Sequence, residues 1–294
     1  MIKLSLVIPA KDANDPKLHE LLRSVECQDF PKDELEILVI TEGTSESAKA
    51  IGIRRAKGEV IGILASDNEL ILPEALGDFY ERASRGGISY PTHYYYSPDD
   101  NALNRYFSLI GGNDPLAYYL NKNDRCSHIQ DWPNGWFGKT LGDNGFFIRK
   151  SMIEETDLDN YYHIDNANEA IVTIPDLSSH FILHKTGGNI FSFFAKRYRY
   201  GLQHAFNNNR RWHLVDFRKP QDIWRLIWFV TASFTIIHPL ILSTRGYLKI
   251  RDKAWFLHPV VCLMTVFTYT ALVLHIGLRR LTQSLSAPMA AQRA

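Results

Sequence analysis

Three observations predict an α/β fold, a mostly parallel sheet with helices on both faces followed by a C-terminal two-helix transmembrane hairpin. Short β-branched runs near the N-terminus alternate with amphipathic stretches, the runs are almost continuously apolar, and two long apolar segments close the chain. Strand, helix, strand at this spacing demands parallel pairing through right-handed crossovers. Near-continuous apolar strands belong to sheets covered on both faces.

The first strand is predicted at residues 3–9 (KLSLVIP), a β-branched run stopped by proline. A helix follows: Asp15 suits its N-cap, Pro16 its first turn, and Leu18, Leu21, Leu22 and Val25 fall on one face. The second strand is residues 35–41 (LEILVIT) and the third is residues 59–64 (EVIGIL), with a crossover over 44–57 between them. A third helix over 73–83 turns Leu76, Phe79 and Tyr80 inward. In open sheets of this kind ligands bind beyond the carboxyl ends of the strands, which directs attention to loops 9–15, 41–47 and 65–69.

Those loops are polar. Thr41-Glu42-Gly43-Thr44-Ser45-Glu46 follows the second strand, and Ala65-Ser66-Asp67-Asn68-Glu69 follows the third. Neither GxGxxG nor GxxxxGK[ST] occurs, so the two glycine-rich phosphate cradles are missing and a bound diphosphate needs a cation. Asp67 suits a divalent metal completed by substrate phosphates and water; a cap on the following helix is the competing reading of the same residue. His93, His128, His163, His180 and His184 do not form a metal site by spacing, although 178–184 alternates like a strand. The aromatic surplus of residues 90–136, with Trp132 and Trp136, fits either a sugar or lipid acceptor pocket or a core.

Composition narrows the function classes. The 294 residues carry 33 Lys+Arg against 32 Asp+Glu, a net charge of +1 that lacks the broad cationic field of a nucleic-acid binder. Three dispersed cysteines, Cys27, Cys126 and Cys262, suggest neither a disulfide framework nor a zinc cluster. The mean hydropathy of −0.20 conceals two apolar runs, 223–243 with Arg225 as its one charge and 254–278 with none, each long enough to cross a bilayer. Trp224, Trp228 and Trp255 sit near their ends, as interfacial rings do. The N-terminal region is expected on the cytoplasmic side. Arg210, Arg211, Arg218 and Lys219 before the first run and Arg279 and Arg280 after the second put both ends inside, yet the connecting loop carries Arg245, Lys249, Arg251 and Lys253. Either that loop is translocated despite its charge, or the hairpin enters one leaflet and returns.

The order SLVIPA, EILVITEGTSES, RRAKGEVIGILASDN resembles the opening of the family-2 glycosyltransferases with a GT-A fold, closely over residues 4–68 and more weakly to 212. The resemblance implies that Pro9, Ala10 and Glu42 hold the nucleotide of a nucleotide-sugar donor. It implies that Ala65-Ser66-Asp67 stands for the metal-binding Asp-x-Asp, with alanine in place of the first aspartate, so that Mg or Mn rests on Asp67 as the sole carboxylate, leaning on Asn68, with Ser66 and Asn68 among the donor-binding residues. Gly142-Asp143-Asn144-Gly145 resembles the acceptor-side segment and Tyr162-His163-Ile164-Asp165 the segment supplying the catalytic base, for which Asp165 is chosen and Asp143 held in reserve. Asn208-Asn209-Arg210-Arg211-Trp212 resembles the QxxRW segment of membrane-bound members, with Arg211 and Trp212 at the leaving diphosphate and acceptor. Arg197 and Arg199 serve either the diphosphate or anionic headgroups.

The expected activity is therefore inverting sugar transfer from a nucleotide-diphosphate donor to a lipid-linked or cell-envelope glycan acceptor at the cytoplasmic membrane face. A polyprenyl-phosphate glycosyltransferase and a non-catalytic membrane-bound nucleotide-sugar-binding protein are the alternatives. The expected divisions are a catalytic domain over 1–212, a juxtamembrane segment over 213–222, membrane helices over 223–278 and a disordered cytoplasmic tail over 279–294.

Overall fold

The structure, a computed structural model, describes residues 1–123, 125–129, 145–153, 182–207 and 214–291. The chain forms two compact units, one of Met1–Asn113 with Asn121–Thr186 and the other of Asp114–Leu120 with Gly187–Ala294. The division near residue 187 precedes the expected end of the catalytic domain at 212.

In the first unit, β1 (Leu4–Pro9), β2 (Leu35–Ile40) and β3 (Val60–Ile63) pair in parallel, Leu4 opposite Leu35 on one side and Val60 on the other. β6 (Phe146–Arg149) adds antiparallel to β3, and β5 (Ile88–Ser89) antiparallel to β6, giving the order β2-β1-β3-β6-β5. Alternation sends Leu4, Leu6 and Ile8 to one face and Val7 to the other. On the first face they meet Leu18, Leu21 and Val25 of α1 (Pro16–Glu26) and Leu76, Phe79 and Ala83 of α3 (Ala75–Gly86). On the second, Val7, Ile61 and Ile63 pack on Ala50 and Ile53 of α2 (Ser45–Arg55). The sheet is covered on both faces, as its apolar strands require.

Local chemistry sets the helix starts. Asp15 Oδ1 accepts the Lys17 N–H at 3.0 Å with Pro16 in the first turn of α1. Thr44 and Ser47 form a reciprocal capping box at α2. Gly52 brings α2 close to the sheet: a Cβ there would lie 2.3 Å from Val7 Cγ1.

Residues 68–70, expected to lead into a helix, instead form β4 (Asn68–Leu70), antiparallel to β7 (Ile182–His184) in a separate ribbon. α4 (Ala102–Ile110), capped by Asn101, completes the described α-helices of this unit.

The second unit holds α5 (Pro115–Leu120), α6 (Ile190–Asn207), α7 (Pro220–Thr235), α8 (Ile237–Lys249) and α9 (His258–Ala291). Tyr119 anchors it, its ring edge-on to Phe229 and its hydroxyl 2.9 Å from His238 Nδ1. Arg225, the one charge of the first apolar run, donates to the Leu120 carbonyl at 2.9 Å. The first helix of the expected hairpin is not continuous. The run 223–243 breaks at Ile236, a left-handed residue with φ 64°, and α7 and α8 diverge by 84°. The second run lies in Lys253–Thr282, 30 residues whose length and composition suffice to cross a membrane. The helix then continues to Ala291, through the residues expected to be a disordered tail.

Candidate functional site

The carboxyl ends of β1, β2 and β3 converge, because the three strands are parallel neighbours. Past β1 the chain stays paired for one more residue, the Ala10 N–H donating to Ile40 O at 3.0 Å, which holds Pro9 and Ala10 at the sheet edge. Past β2, Gly43 takes φ +77°, a region glycine enters without strain, and turns the chain into the Thr44 cap. Glu42 lies exposed at this rim, its carboxylate 3.3 Å from Arg55 at the end of α2. In high dielectric this pair is weak and leaves Glu42 available to a ligand.

Past β3 the residues 65–68 make a tight turn. The Asn68 N–H donates to Ala65 O at 3.0 Å and Asn68 Oδ1 accepts the Ala65 N–H at 2.9 Å. Asn68 is 1% exposed, so its side chain folds the turn while Ser66 and Asp67 stand at its open side. The β4–β7 register puts His184 opposite Asn68, and His184 Nε2 lies 3.4 Å from Asp67 Oδ1. Both side chains are largely buried, at 8% and 17% exposure. The His184 ring packs on buried Tyr94 with centroids 5.1 Å apart, and the Arg125 guanidinium lies 5.3 Å from the Tyr94 and Tyr90 ring centroids. Burial pushes the Tyr90 phenol pKa up.

A clasp holds the two partners in register. The Lys185 N–H donates to Asp67 O at 2.8 Å, and Lys185 Nζ reaches Glu69 at 2.6 Å and Glu20 of α1 at 3.0 Å. Lys17 Nζ donates in turn to Lys185 O. Burial works to lower the Lys185 pKa, but the hydrogen bonds and charges of Glu69 and Glu20 outweigh it and hold the ammonium above its ordinary value. The clasp ties α1, β4 and β7 together around Asp67.

Among the described residues no group of three or more His, Cys, Asp or Glu is placed to hold a metal ion. The donor set at the turn is one carboxylate and one imidazole, which fits Mg or Mn only if diphosphate oxygens and water fill the remaining positions, the usual arrangement for these cations. His184 is the residue that spacing along the chain set aside. The alternating pattern up to residue 184 signalled its strand, and the pairing with β4 that carries it to Asp67 had no local signal.

The other sequence-derived candidates divide. Pro9, Ala10, Glu42, Ser66, Asp67 and Asn68 lie at or just past the carboxyl ends of the neighbouring strands β1, β2 and β3 of the first unit. Arg197 and Arg199 lie on α6 of the second unit, Arg199 exposed and Arg197 bound to Asp114 and, at 3.2 Å, to Tyr269 Oη. Arg197 is thus engaged within its own unit, where Asp114 also accepts from Tyr269 and from the Leu116 N–H at 2.9 Å. Asp143, Asp165, Arg211 and Trp212 lie outside the described residues.

The fold now has a counterpart among solved structures. The mannosyltransferase PcManGT from Pyrobaculum calidifontis, in complex with GDP-Man and Mn2+, superposes with a TM-score of 0.51 at 13% identity, over 92% of this chain and 87% of that one. The chain has a GT-A-like fold. TarS 1–349 of S. aureus, including its complex with UDP-GlcNAc, aligns over 92% of this chain and 90% of that one, with TM-scores of 0.42 and 0.41 at 12% and 14% identity. No family model matches the sequence, and no curated protein does.

Proposed function

We propose that the chain is a nucleotide-sugar-dependent glycosyltransferase with its donor at the carboxyl edge of β1, β2 and β3. The observation that carries this reading is the largely buried Asp67–His184 pair, 3.4 Å apart, at the sheet edge where open sheets of this kind bind ligands. A carboxylate and an imidazole held by a dedicated clasp have no packing purpose that apolar residues would not serve better.

Pro9 and Ala10 border the nucleotide and Glu42 accepts from its base. Asp67, with His184 beside it, would hold Mg or Mn, which when bound supplies positive charge to the donor diphosphate. Ser66 offers a hydroxyl to the same phosphates. Asp165 takes the proton of the acceptor hydroxyl as its oxygen bonds to the anomeric carbon and the bond to the diphosphate breaks, which inverts that carbon. Asp143 is the second candidate for this step. Arg211 meets the leaving diphosphate with its planar fork and Trp212 the acceptor. Arg199 serves phosphate or headgroup from the exposed face of α6.

The exposed apolar helices of the second unit favour an acceptor presented at a membrane, lipid-linked or an envelope glycan, with the catalytic unit on the cytoplasmic side. An acceptor that is itself a polyprenyl phosphate is already ionised and needs no base; Asp165 would then position it. The deciding experiment screens the detergent-purified chain against UDP-, GDP- and dTDP-sugars with Mg or Mn, reading both transfer and donor hydrolysis. Turnover with at least one donor is expected. Donor binding without turnover would leave a nucleotide-sugar-binding protein, and neither binding nor turnover removes the reading.

A further inference from the structure

The surface of the second unit resolves the charge conflict around its apolar segments. At 1.5 Å per residue the 16 residues of α7 and the 13 of α8 are about 24 Å and about 20 Å long, short of a hydrocarbon core of about 30 Å. With 84° between them, arms whose outer ends rest at one surface bring the corner to a depth of about 15 Å, half the core. The corner is the apolar part: Phe234, Ile236 and Ile237 are 57%, 45% and 65% exposed. Nearer the outer end of α7, Trp224 and Trp228 are 70% and 51% exposed, at the level where indole rings prefer the interface. Both outer ends carry basic residues, Lys219 and the Asp216-paired Arg218 before α7, and Lys249 at the end of α8 with Arg251 and Lys253 beyond it. A span would place these two groups on opposite sides; a bent pair places both at one layer of anionic headgroups.

α9 is long enough to cross, but its middle has polar company. Arg197 of α6 donates to Tyr269 at 3.2 Å, Tyr198 Oη lies 2.7 Å from His275 Nδ1, and Gly201 makes room for Leu272. The same α6 exposes Lys196 and Arg199. A crossing α9 would carry these charges into hydrocarbon.

We propose that α7 and α8 form a wedge inserted corner first into one leaflet of an anionic phospholipid bilayer, and that no helix of the second unit crosses it. The inference refines the membrane part of the functional reading and does not depend on sugar transfer.

Cys27 is exposed while Cys126 and Cys262 are buried, so Cys27→Ser supplies a quiet background for single cysteines. In sealed inside-out and right-side-out vesicles from an expressing bacterium, Lys219→Cys, Lys253→Cys and Arg280→Cys should all react with an impermeant maleimide in the same vesicle orientation and be protected in the other. Reaction of any one from the opposite face overturns the wedge. Purified protein should partition at least about tenfold more strongly to phosphatidylglycerol-containing vesicles than to pure phosphatidylcholine. Phe234→Glu with Ile237→Glu should weaken that partition about tenfold or more at unchanged circular dichroism and donor binding. No vesicle binding, or binding indifferent to the double substitution, rejects the wedge and leaves sugar transfer untouched; absent turnover with normal vesicle binding does the reverse.

Discussion

Asp67 had two readings in the sequence, metal ligand or helix cap, and the backbone around it removes the second. Residues 68–70 are a strand and the next helix begins at Ala75, so no helix start lies within reach for Asp67 to cap. His184 stands 3.4 Å away in its place. Asp67→Ala is expected to lower donor-dependent turnover by about 100-fold or more, and His184→Ala to weaken Mn affinity about tenfold or more. Electron paramagnetic resonance of free Mn during titration reads the second effect without any turnover; unchanged affinity in both variants would refute the assignment. Asn68 works differently, as its amide closes the turn under Asp67. Asn68→Ala strands a backbone donor and should cost about 1–3 kcal/mol in urea unfolding, with turnover reduced because Asp67 loses its support.

At the scale of elements, the β4–β7 ribbon is held to α1 through Lys185, Glu69, Glu20 and Lys17. Because the folded-state Lys185 pKa is raised above its ordinary 10.5, the clasp contributes fully below that pH and is lost as pH rises through the higher folded value. Melting temperatures followed from about pH 9 to about pH 11.5 should fall more steeply for the native chain than for Lys185→Gln, and parallel profiles would show the clasp to be indifferent to charge. The parallel strands and their helices were legible from β-branched runs and i, i+3, i+4 spacing, since both periodicities are local. The ribbon was legible only in part: the alternating run up to residue 184 marked β7, whereas the three residues of β4 carry almost no pattern, and β4 finds its partner more than a hundred residues along the chain.

For the whole molecule, a ligand that binds only the folded first unit must raise its stability by mass action. A cognate nucleotide sugar with Mn at about 100 times its Kd should add about 2.7 kcal/mol, seen as a rise in melting temperature that is absent with Asp67→Ala; no rise with any donor class would contradict a donor site at the sheet edge. The second unit shows the same division between local and distant information. Residues 223–243 are apolar enough to read as one span, but hydropathy is blind to direction, and the left-handed Ile236 turns the helix through 84°.

Sequence alone determined the doubly covered parallel sheet, the three loops at its carboxyl edge, the Asp67 turn and the apolar character of the C-terminal helices, because each is written in residue type at short range. Tertiary structure alone decided that His184 joins Asp67, that Arg197 is held by Asp114 and Tyr269, and that the first apolar run is a bent pair of helices. Those outcomes depend on strand register, on charge pairing between distant segments and on one backbone angle, none of which leaves a periodic signature in the chain.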